Sequence, residues 1–322
     1  MNARRSAIAL ALATTLLVTA CGSDDDEGSD GGQAAAETAA EPVKLGLITK
    51  FPVDFYLAME DAAKEWDSGK PDVEVVYGTG KSATDDAGQI DLIESMVSQG
   101  VKGIAITPSS PAVQPALDDA VAKDIKVVLV DNDLPDWDGK ASVVATDNHK
   151  GGVLAGQWLA SNLKAGDTLA VLEGVPGVPA LDDRVSGMEE GLGDAGVKVV
   201  GKAPTDCDQD KGVSAAADLL TAHPDVTAIY GACGPPVLGA IQAIKNAGRK
   251  PDDITLVGFD ALPDEVEQII AGNQDASVAQ FPAKMGTLGL DTLLAATQGE
   301  DVEPLVDTGT EIVTSENAAE FK

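Results

Sequence analysis

Three classes of residue are scarce in this chain of 322 residues, and each scarcity narrows its function. Lysine and arginine number 22 against 53 acidic residues, which gives a formal net charge of −31. A chain this acidic repels polyanions, so we expect no nucleic-acid partner. Aromatic residues make up only 3% of the sequence, which leaves few rings to stack on a ligand. The two histidines, His149 and His223, have no cysteine at a ligand spacing, so we expect no metal site.

The sequence also lacks the motifs of common enzymes. It contains no G-x-S-x-G segment, and nothing in it supplies a nucleophile paired with a base. Gly78–Ser82 ends like a phosphate-binding loop, but Val75 stands where that motif needs its first glycine. We therefore expect no enzymatic activity and no cofactor.

The N-terminus has the pattern of an export signal. Arg4 and Arg5 precede an apolar run, Ala7–Val18, which is too short to be a spanning helix of the mature protein. The run ends Val-Thr-Ala-Cys at Cys21, which resembles the bacterial lipoprotein box. This predicts a signal peptide over residues 1–20 and lipidation of Cys21, which would anchor the protein to the outer face of the cell membrane. The alternative is an ordinary secretory signal followed by an incidental cysteine.

Residues 21–42 have the composition of a tether. From Gly22 to Pro42 there are seven acidic residues, no basic ones, and otherwise mostly Gly, Ala and Ser. Such a segment cannot bury enough apolar surface to become ordered, so we expect a disordered acidic linker.

From Lys44 onward, short β-branched runs alternate with helical patterns. This rhythm is typical of parallel sheets with helices on both faces, and the length suffices for two domains. The predicted strands are Lys44–Thr49, Val73–Tyr77, Gly103–Thr107, Lys126–Asp131, Ala141–Ala145, Thr168–Leu172, Val197–Gly201, Val226–Tyr230 and Ile254–Phe259. The predicted helices, after one beginning near Phe55, are Ala87–Gln99, Ala112–Ala122, Gly151–Leu163, Leu181–Leu192, Lys211–Ala222, Val237–Ala247 and Pro263–Ala271.

The first strand leads into a turn, Thr49–Tyr56, that carries Lys50, Asp54 and Phe55. Ligands of open parallel sheets bind beyond the carboxyl ends of the strands, which is where this turn lies. It lacks the glycine pattern that admits a pyrophosphate, so it suits a small polar molecule better than a nucleotide.

Several segments, taken in order, resemble one family. They are Phe55-Tyr56, Val128–Asp131, Ala145–Asn148 with Gly151-Gly152, Leu219–Val226, Leu238–Ala240, Val257–Asp260 with Pro263-Asp264, and Ala279-Gln280. The sequence is similar to periplasmic sugar-binding proteins of the ribose-binding type. The resemblance implies a periplasmic-binding-protein type I α/β fold, with two doubly wound parallel-sheet (Rossmann-like) lobes joined by three hinge crossings. The N-terminal lobe would hold residues 43–146 and 281–309, and the C-terminal lobe residues 147–280 and 310–322.

The same resemblance implies a set of ligand-binding residues. In the first lobe they are Thr49, Val53, Phe55, Tyr56, Asp131 and Asn132, with Lys50 and Asp54 adding charge nearby. In the second lobe and hinge they are Asp182, Cys207, Cys233, Asp260 and Gln280. Arg184 matches a further arginine of the family that we expect to be structural, and it stays among the candidates.

Some of these residues have a second interpretation. Phe55 also belongs to the apolar stripe of its helix and could be a core residue. Asp131 and Asp260 could cap helices, and Asp147 and Asn148 are expected to do so. Trp137 could cover the ligand site from its polar loop or simply be exposed there.

The sequence departs from the ribose-binding pattern at the ligand positions. Asn132 and Asp182 stand where that pattern has arginine, Val53 and Cys233 replace amides, and Cys207 replaces an aromatic residue. These departures give no preference for ribose, and another sugar, a polyol or a small cationic molecule is expected to fit as well.

Cys207 and Cys233 form an even pair in an exported protein, which invites a disulfide. Their strands would lie on opposite sides of a common neighbouring strand, which makes the distance between the two cysteines long for a disulfide. The alternative is two small side chains that widen the pocket.

Together these features predict a monomeric solute-binding lipoprotein. It would capture a sugar or polyol between its lobes and deliver it to the permease of an ABC importer. The alternative is a sensory protein that presents the ligand to a receptor kinase or chemoreceptor.

Overall fold

The computed structural model describes residues 41–321. The predicted signal peptide, the lipidation site Cys21 and nearly all of the predicted tether lie outside the described residues. No helix within residues 41–321 is long and apolar enough to cross a membrane.

Twelve strands in the described part of the chain form two six-stranded sheets. Sheet 1 consists, in spatial order, of β11 (Leu305–Asp307), β5 (Ser142–Ala145), β4 (Lys126–Val130), β3 (Gly103–Ile106), β1 (Val43–Thr49) and β2 (Val73–Thr79). Sheet 2 consists of β12 (Glu311–Thr314), β10 (Ala276–Ala279), β9 (Thr255–Asp260), β8 (Ala228–Gly231), β6 (Thr168–Glu173) and β7 (Lys198–Pro204). Every pairing is parallel except that between β10 and β12.

Helices cover both faces of each sheet. Those of the first lobe are α1 (Asp54–Ser68), α2 (Asp86–Ser98), α3 (Gln114–Val121) and α9 (Pro282–Thr297). Those of the second are α4 (Asn148–Asn162), α5 (Pro179–Leu192), α6 (Gln209–Ala222), α7 (Gly234–Asn246) and α8 (Pro263–Ile270). Short 3₁₀ turns lie at Pro111–Val113, Pro251–Asp253 and Ala318–Phe321.

Each sheet separates two apolar cores. In the first lobe, Ile93 and Leu117 lie in one cluster, and Met59 and Met285 lie in the other. In the second lobe the central strands β6, β8, β9 and β10 are buried on both faces in the same way. This double burial explains why the strands are nearly continuous apolar runs without alternation.

The chain passes between the sheets at three places. It leaves sheet 1 after β5 and enters α4, returns after β10 into α9, and crosses again between β11 and β12. At the first and third places, Thr146 and Thr308 lie side by side, with 3.4 Å between their hydroxyl oxygens. The fold is therefore two parallel-sheet α/β lobes of the periplasmic-binding-protein type I, as the sequence predicted.

Two sequence predictions about elements need correction. The helix predicted over Ala112–Ala122 is a 3₁₀ turn followed by α3, because Pro111 and Pro115 have no amide hydrogen to bond in a first turn. The patterns also singled out no element after residue 271. There the structure forms β10, α9, β11 and β12, three of which are strands of at most four residues.

Candidate functional site

The carboxyl ends of the two sheets bring charged side chains together between the lobes. Sheet 1 contributes Lys50 after β1 and Asp131 after β4, and sheet 2 contributes Asp260 at the end of β9. The pKa of Asp131 responds to Arg184 and to Asp260, which both belong to the second lobe. The candidate site is therefore shared between the lobes.

Asp131 is the centre of the first-lobe half. Its backbone has a φ of +66°, a conformation that costs a non-glycine residue free energy and that often occurs at functional sites. Its Oδ2 accepts a 2.9 Å hydrogen bond from the Tyr56 hydroxyl. Burial raises the pKa of Asp131, while Arg184, Tyr56 and Lys50 oppose that rise. The carboxylate is thus held in place and largely removed from water before any ligand arrives.

Lys50 lies close enough to this carboxylate for their charges to interact. Burial lowers the pKa of its ammonium group, and the charges of Asp131 and Asp86 partly offset the effect. Asp86 in turn accepts hydrogen bonds from the hydroxyls of Ser109 and Ser110, at 2.6 and 2.8 Å. The first-lobe half therefore offers both signs of charge.

Asp260 is the centre of the second-lobe half, and it also has a positive φ, of +99°. Its Oδ1 accepts hydrogen bonds from Nε2 of Gln280 at 2.6 Å and from Nη1 of Arg184 at 3.1 Å. Its Oδ2 accepts a 3.2 Å hydrogen bond from the backbone amide of Gly234, the first residue of α7. Three donors from three segments thus fix this carboxylate.

Arg184 is buried and holds the second-lobe half together. Its guanidinium also donates to Oδ1 of Asn148 at 2.8 Å and to the carbonyl of Ala232 at 2.9 Å, and it lies 4.0 Å from the centre of the Phe259 ring. These contacts leave it little freedom to reorient towards a ligand.

Two buried oxygens at this edge have no hydrogen-bond partner within residues 41–321. They are Oγ1 of Thr107, just beyond β3, and Oε1 of Gln280. Burying a polar atom without a partner costs free energy, so both are candidates to bind a polyhydroxylated ligand. The Thr107 hydroxyl can donate or accept a hydrogen bond, and Oε1 of Gln280 can only accept one. Thr107 was not among the residues predicted from the sequence, although it follows β3 at the same edge where Thr49 ends β1.

The remaining candidates either contact neighbouring residues of their own lobe or are exposed. The Thr49 hydroxyl is paired with that of Thr79 at 2.9 Å, and the Asn132 amide donates to the carbonyl of Pro108 at 3.3 Å. Phe55 is buried in the core and contacts Tyr56 edge to face, with 5.2 Å between ring centres. Asp54 is exposed in the first turn of α1, and the second-lobe candidate Asp182 is exposed in the first turn of α5.

Cys207 and Cys233 are joined by a disulfide, with 5.5 Å between their Cα atoms. Their strands, β7 and β8, do flank β6. The distance between the two cysteines is short because the chain folds back after β7, where Asp206 and Cys207 have φ values of +53° and +54°. Thr205 anchors this turn by donating to the carbonyl of Glu173 from its amide and hydroxyl, at 2.9 and 2.6 Å.

Three further side chains resolve open alternatives. Trp137 neither covers the site nor is exposed, because it is buried in the core and its indole nitrogen donates to Asp118 at 2.7 Å. Asp147 caps α4 through a 2.9 Å bond from the amide of Lys150. Asn148 binds Arg184 instead.

A cavity of about 370 Å³ opens on the first lobe beside Thr49, Phe51 and Tyr56. A second cavity of about 480 Å³ lies beside α6 and includes Lys211 and Asp218. Neither is lined by Asp131 or Asp260. Within the described chain, no group of three or more His, Cys, Asp or Glu side chains is arranged to hold a metal ion.

The chain is similar to known proteins over most of its length. The model of the periplasmic binding protein domain matches residues 45–301. The chain is 32% identical to a D-ribose/D-allose-binding protein of Pseudomonas aeruginosa over 292 residues, which are 87% of this chain and 91% of the relative. It is 29% identical to the ribose import binding protein of Escherichia coli, over 84% of this chain and 89% of the relative.

Solved structures agree with the fold. An ABC transporter solute-binding protein of Mycobacterium smegmatis, solved with bound glycerol, is 30% identical and superposes with a TM-score of 0.79. The match covers 87% of this chain and 96% of that one.

Proposed function

The chain belongs to the family of the periplasmic binding protein domain, and on that premise we propose that it captures a sugar or polyol between its lobes and delivers it to an ABC importer. The observation that carries the proposal is a pair of anchored carboxylates, one on each lobe: Asp131, which is buried, and Asp260, which is partly buried. Carboxylate oxygens accept hydrogen bonds from the hydroxyls of a neutral ligand.

The partners of each carboxylate favour a polyhydroxylated ligand. Tyr56, Arg184, Gln280 and the Gly234 amide use some of the oxygen lone pairs and fix the orientation of the others. The unpaired oxygens of Thr107 and Gln280 add two places where a ligand hydroxyl can bind. Since each such hydrogen bond is directional, the set would select among sugars by the position of their hydroxyls.

The charges of the site favour a ligand without a net negative charge. The one arginine among the candidates, Arg184, already pairs with Asp260, and Asn132 and Asp182 stand where an arginine would attract an anion. The exposed Asp54 and Asp182 would repel an approaching phosphate or carboxylate. We therefore propose a neutral sugar or polyol rather than a sugar phosphate or a sugar acid.

Capture would follow from rotation of the lobes about the three crossings. A ligand that bridges Asp131 and Asp260 interacts with both lobes only when they are close together, so it stabilises the closed arrangement. The closed protein would then present both lobe surfaces to a membrane permease. We also propose that Cys21 carries a lipid and that residues 21–42 tether the domain to the membrane, in keeping with an extracytoplasmic family.

A thermal-shift screen of the chain from Gly22 tests the proposal. D-ribose, D-allose, glycerol, myo-inositol and D-glucose 6-phosphate would be added separately at millimolar concentration. A ligand present at about 100 times its dissociation constant stabilises the folded state by about 2.7 kcal/mol, which is readily detected. We expect stabilisation by at least one neutral compound and none by the phosphate, and stabilisation by the phosphate alone would reject the proposed ligand class.

A further inference from the structure

The disulfide is joined to the candidate site by three consecutive residues. The carbonyl of Ala232 accepts a hydrogen bond from Arg184, and the amide of Gly234 donates one to Asp260. Cys233 lies between them and is bonded to Cys207. One short segment therefore contacts both members of the Arg184–Asp260 ion pair while a covalent bond fixes its middle residue.

In the part of the chain that the structure describes, the start of α7 lacks the side-chain cap that usually fixes the first turn of a helix. Cys233 is the N-cap residue, and its side chain makes no capping hydrogen bond within residues 41–321. Serine, threonine, aspartate or asparagine would normally supply that bond. Gly234 has no side chain that could hold the segment. The site also has no room for one, because a Cβ atom at this position would collide with the carboxylate of Glu265. The disulfide thus takes the place of a cap.

The other end of the disulfide is firmly anchored. Thr205 binds the carbonyl of Glu173, and Asp208 caps α6 by accepting a 2.9 Å hydrogen bond from the amide of Lys211. The bond also needs space beyond the end of β6, where Gly174 lies. A Cβ atom at Gly174 would lie 3.2 Å from Sγ of Cys207, so a larger residue would press on the disulfide.

We propose that the Cys207–Cys233 disulfide is a positioning element of the ligand site, which holds the Gly234 amide and the Ala232 carbonyl against the Arg184–Asp260 pair. Breaking the bond releases the start of α7, and Asp260 loses a fixed donor. The effect on ligand affinity rests on the proposed function, whereas the effect on the mobility of the segment does not.

The first test needs no ligand. Amide hydrogen exchange is measured on the chain from Gly22 as wild type, as Cys207→Ser/Cys233→Ser, and as wild type treated with dithiothreitol. Dithiothreitol closes to its cyclic disulfide as the two cysteines take up two electrons and two protons. We expect exchange at Gly234 to become about tenfold faster in both disulfide-free forms, while exchange in the 49–56 segment stays within about twofold. Equal rates at Gly234 in the oxidised and disulfide-free forms would overturn the proposal.

A matched variant separates positioning from general stability. Leu159 is fully buried in α4, and Leu159→Ala destabilises the same lobe without touching the disulfide, the 232–234 segment or Asp260. Its exchange rates are compared at a temperature where its unfolded fraction equals that of the double variant. If exchange at Gly234 is faster in the double variant but not in Leu159→Ala, the result supports positioning. If exchange is accelerated equally in both variants, the disulfide acts only as a global stabiliser and the proposal is overturned.

The second test measures affinity for whichever of D-ribose, D-allose, glycerol and myo-inositol gives the largest thermal shift. We expect the double variant to bind about tenfold more weakly than wild type and Leu159→Ala to bind within about twofold of it. If wild type binds none of these four compounds, the proposed function fails while the exchange result still decides the inference. If wild type binds and the double variant binds equally well, the disulfide does not position the site.

Discussion

The Tyr56 hydroxyl donates a 2.9 Å hydrogen bond to Oδ2 of Asp131, and both side chains are buried at the carboxyl edge of sheet 1. Tyr56 follows the first strand and Asp131 the fourth, so the bond joins the segments beyond two different strands, which lie 75 residues apart in sequence. A carboxylate in a buried setting needs such a donor, because burial disfavours its charged form.

Tyr56→Phe should therefore raise the pKa of Asp131 further, since it removes a bond that stabilises the ionised carboxyl group. If ligand hydroxyls donate to the carboxylate, the lower pH limit of sugar binding should move to higher pH. We also expect affinity at pH 7 to fall by roughly tenfold, the size expected for a hydrogen bond to a charged group. Calorimetric titration from pH 4 to pH 8 measures both effects.

Tyr77→Phe is the matched control for that variant. Tyr77 lies on β2 and its hydroxyl makes no hydrogen bond to Asp131. Its pH profile should coincide with that of wild type. A Tyr56→Phe profile that also coincides with wild type would remove the Tyr56–Asp131 bond from the binding mechanism.

Thr107→Val tests the unpaired hydroxyl at the end of β3. The substitution keeps the branched shape and removes a buried oxygen that has no partner within residues 41–321. In the absence of ligand the variant should be as stable as wild type or slightly more stable, because an unsatisfied polar atom is removed. Ligand affinity should fall by about tenfold if the hydroxyl binds a sugar. Urea unfolding and calorimetry separate the two effects, and an unchanged affinity would exclude Thr107 from the site.

Glu265 should make the stability of the protein depend on pH. It is fully buried beneath the second-lobe half of the site, where its Oε1 accepts hydrogen bonds from Gln274 and Ser277. Burial, aided by the charge of Asp260, raises the pKa of Glu265 from 4.5 to about 8. The folded state therefore keeps this proton to higher pH than the unfolded chain does. Stability attributable to Glu265 is fully present below pH 4.5 and falls as pH rises to about 8.

Glu265→Gln should remove that dependence, because the amide does not titrate. Between pH 5 and pH 8 the wild-type free energy of unfolding should fall more steeply than that of the variant, by at most about 1.4 kcal/mol per pH unit. The variant gives up a weak 3.3 Å acceptor contact with the amide of Leu262, which should cost it a little stability at low pH. Parallel slopes for the two proteins in urea titrations would show that Glu265 does not titrate in this range.

Some residues of the site could be predicted from the sequence and others could not. Asp131 and Asp260 follow apolar runs that predict strands, and the resemblance to sugar-binding proteins selected them among the many acidic residues. Thr107 was missed because a threonine at a strand end is common, and its lack of a partner becomes visible only after packing. The positions of Asp54 and Asp182 on exposed helix turns depend on where each helix begins, which the sequence predicts to within a few residues at best.

The disulfide shows where sequence reasoning reaches its limit. The order of the strands left the disulfide between Cys207 and Cys233 undecided, because a regular continuation of β7 would keep the two cysteines on opposite sides of β6. Positive φ values at Asp206 and Cys207 reverse the chain at that point. Neither residue is a glycine, so nothing local in the sequence predicted the reversal.

The final strands were overlooked for a related reason. β10, β11 and β12 contain only three or four residues each, and β10 is buried throughout. A run this short has too few positions to show a period. Their place in the fold is set by the crossings between the lobes, which are long-range features.

Binding calorimetry with D-allose and D-ribose on wild type, Asp131→Asn, Asp260→Asn and the exposed control Asp264→Asn tests the central claim most directly. Each of the first two substitutions keeps the size of the side chain and removes the charge that accepts ligand hydroxyls. We predict that wild type and Asp264→Asn bind the same sugar with equal affinity, and that Asp131→Asn and Asp260→Asn each bind it at least about 100-fold more weakly. Undiminished binding by both Asp131→Asn and Asp260→Asn would contradict the account.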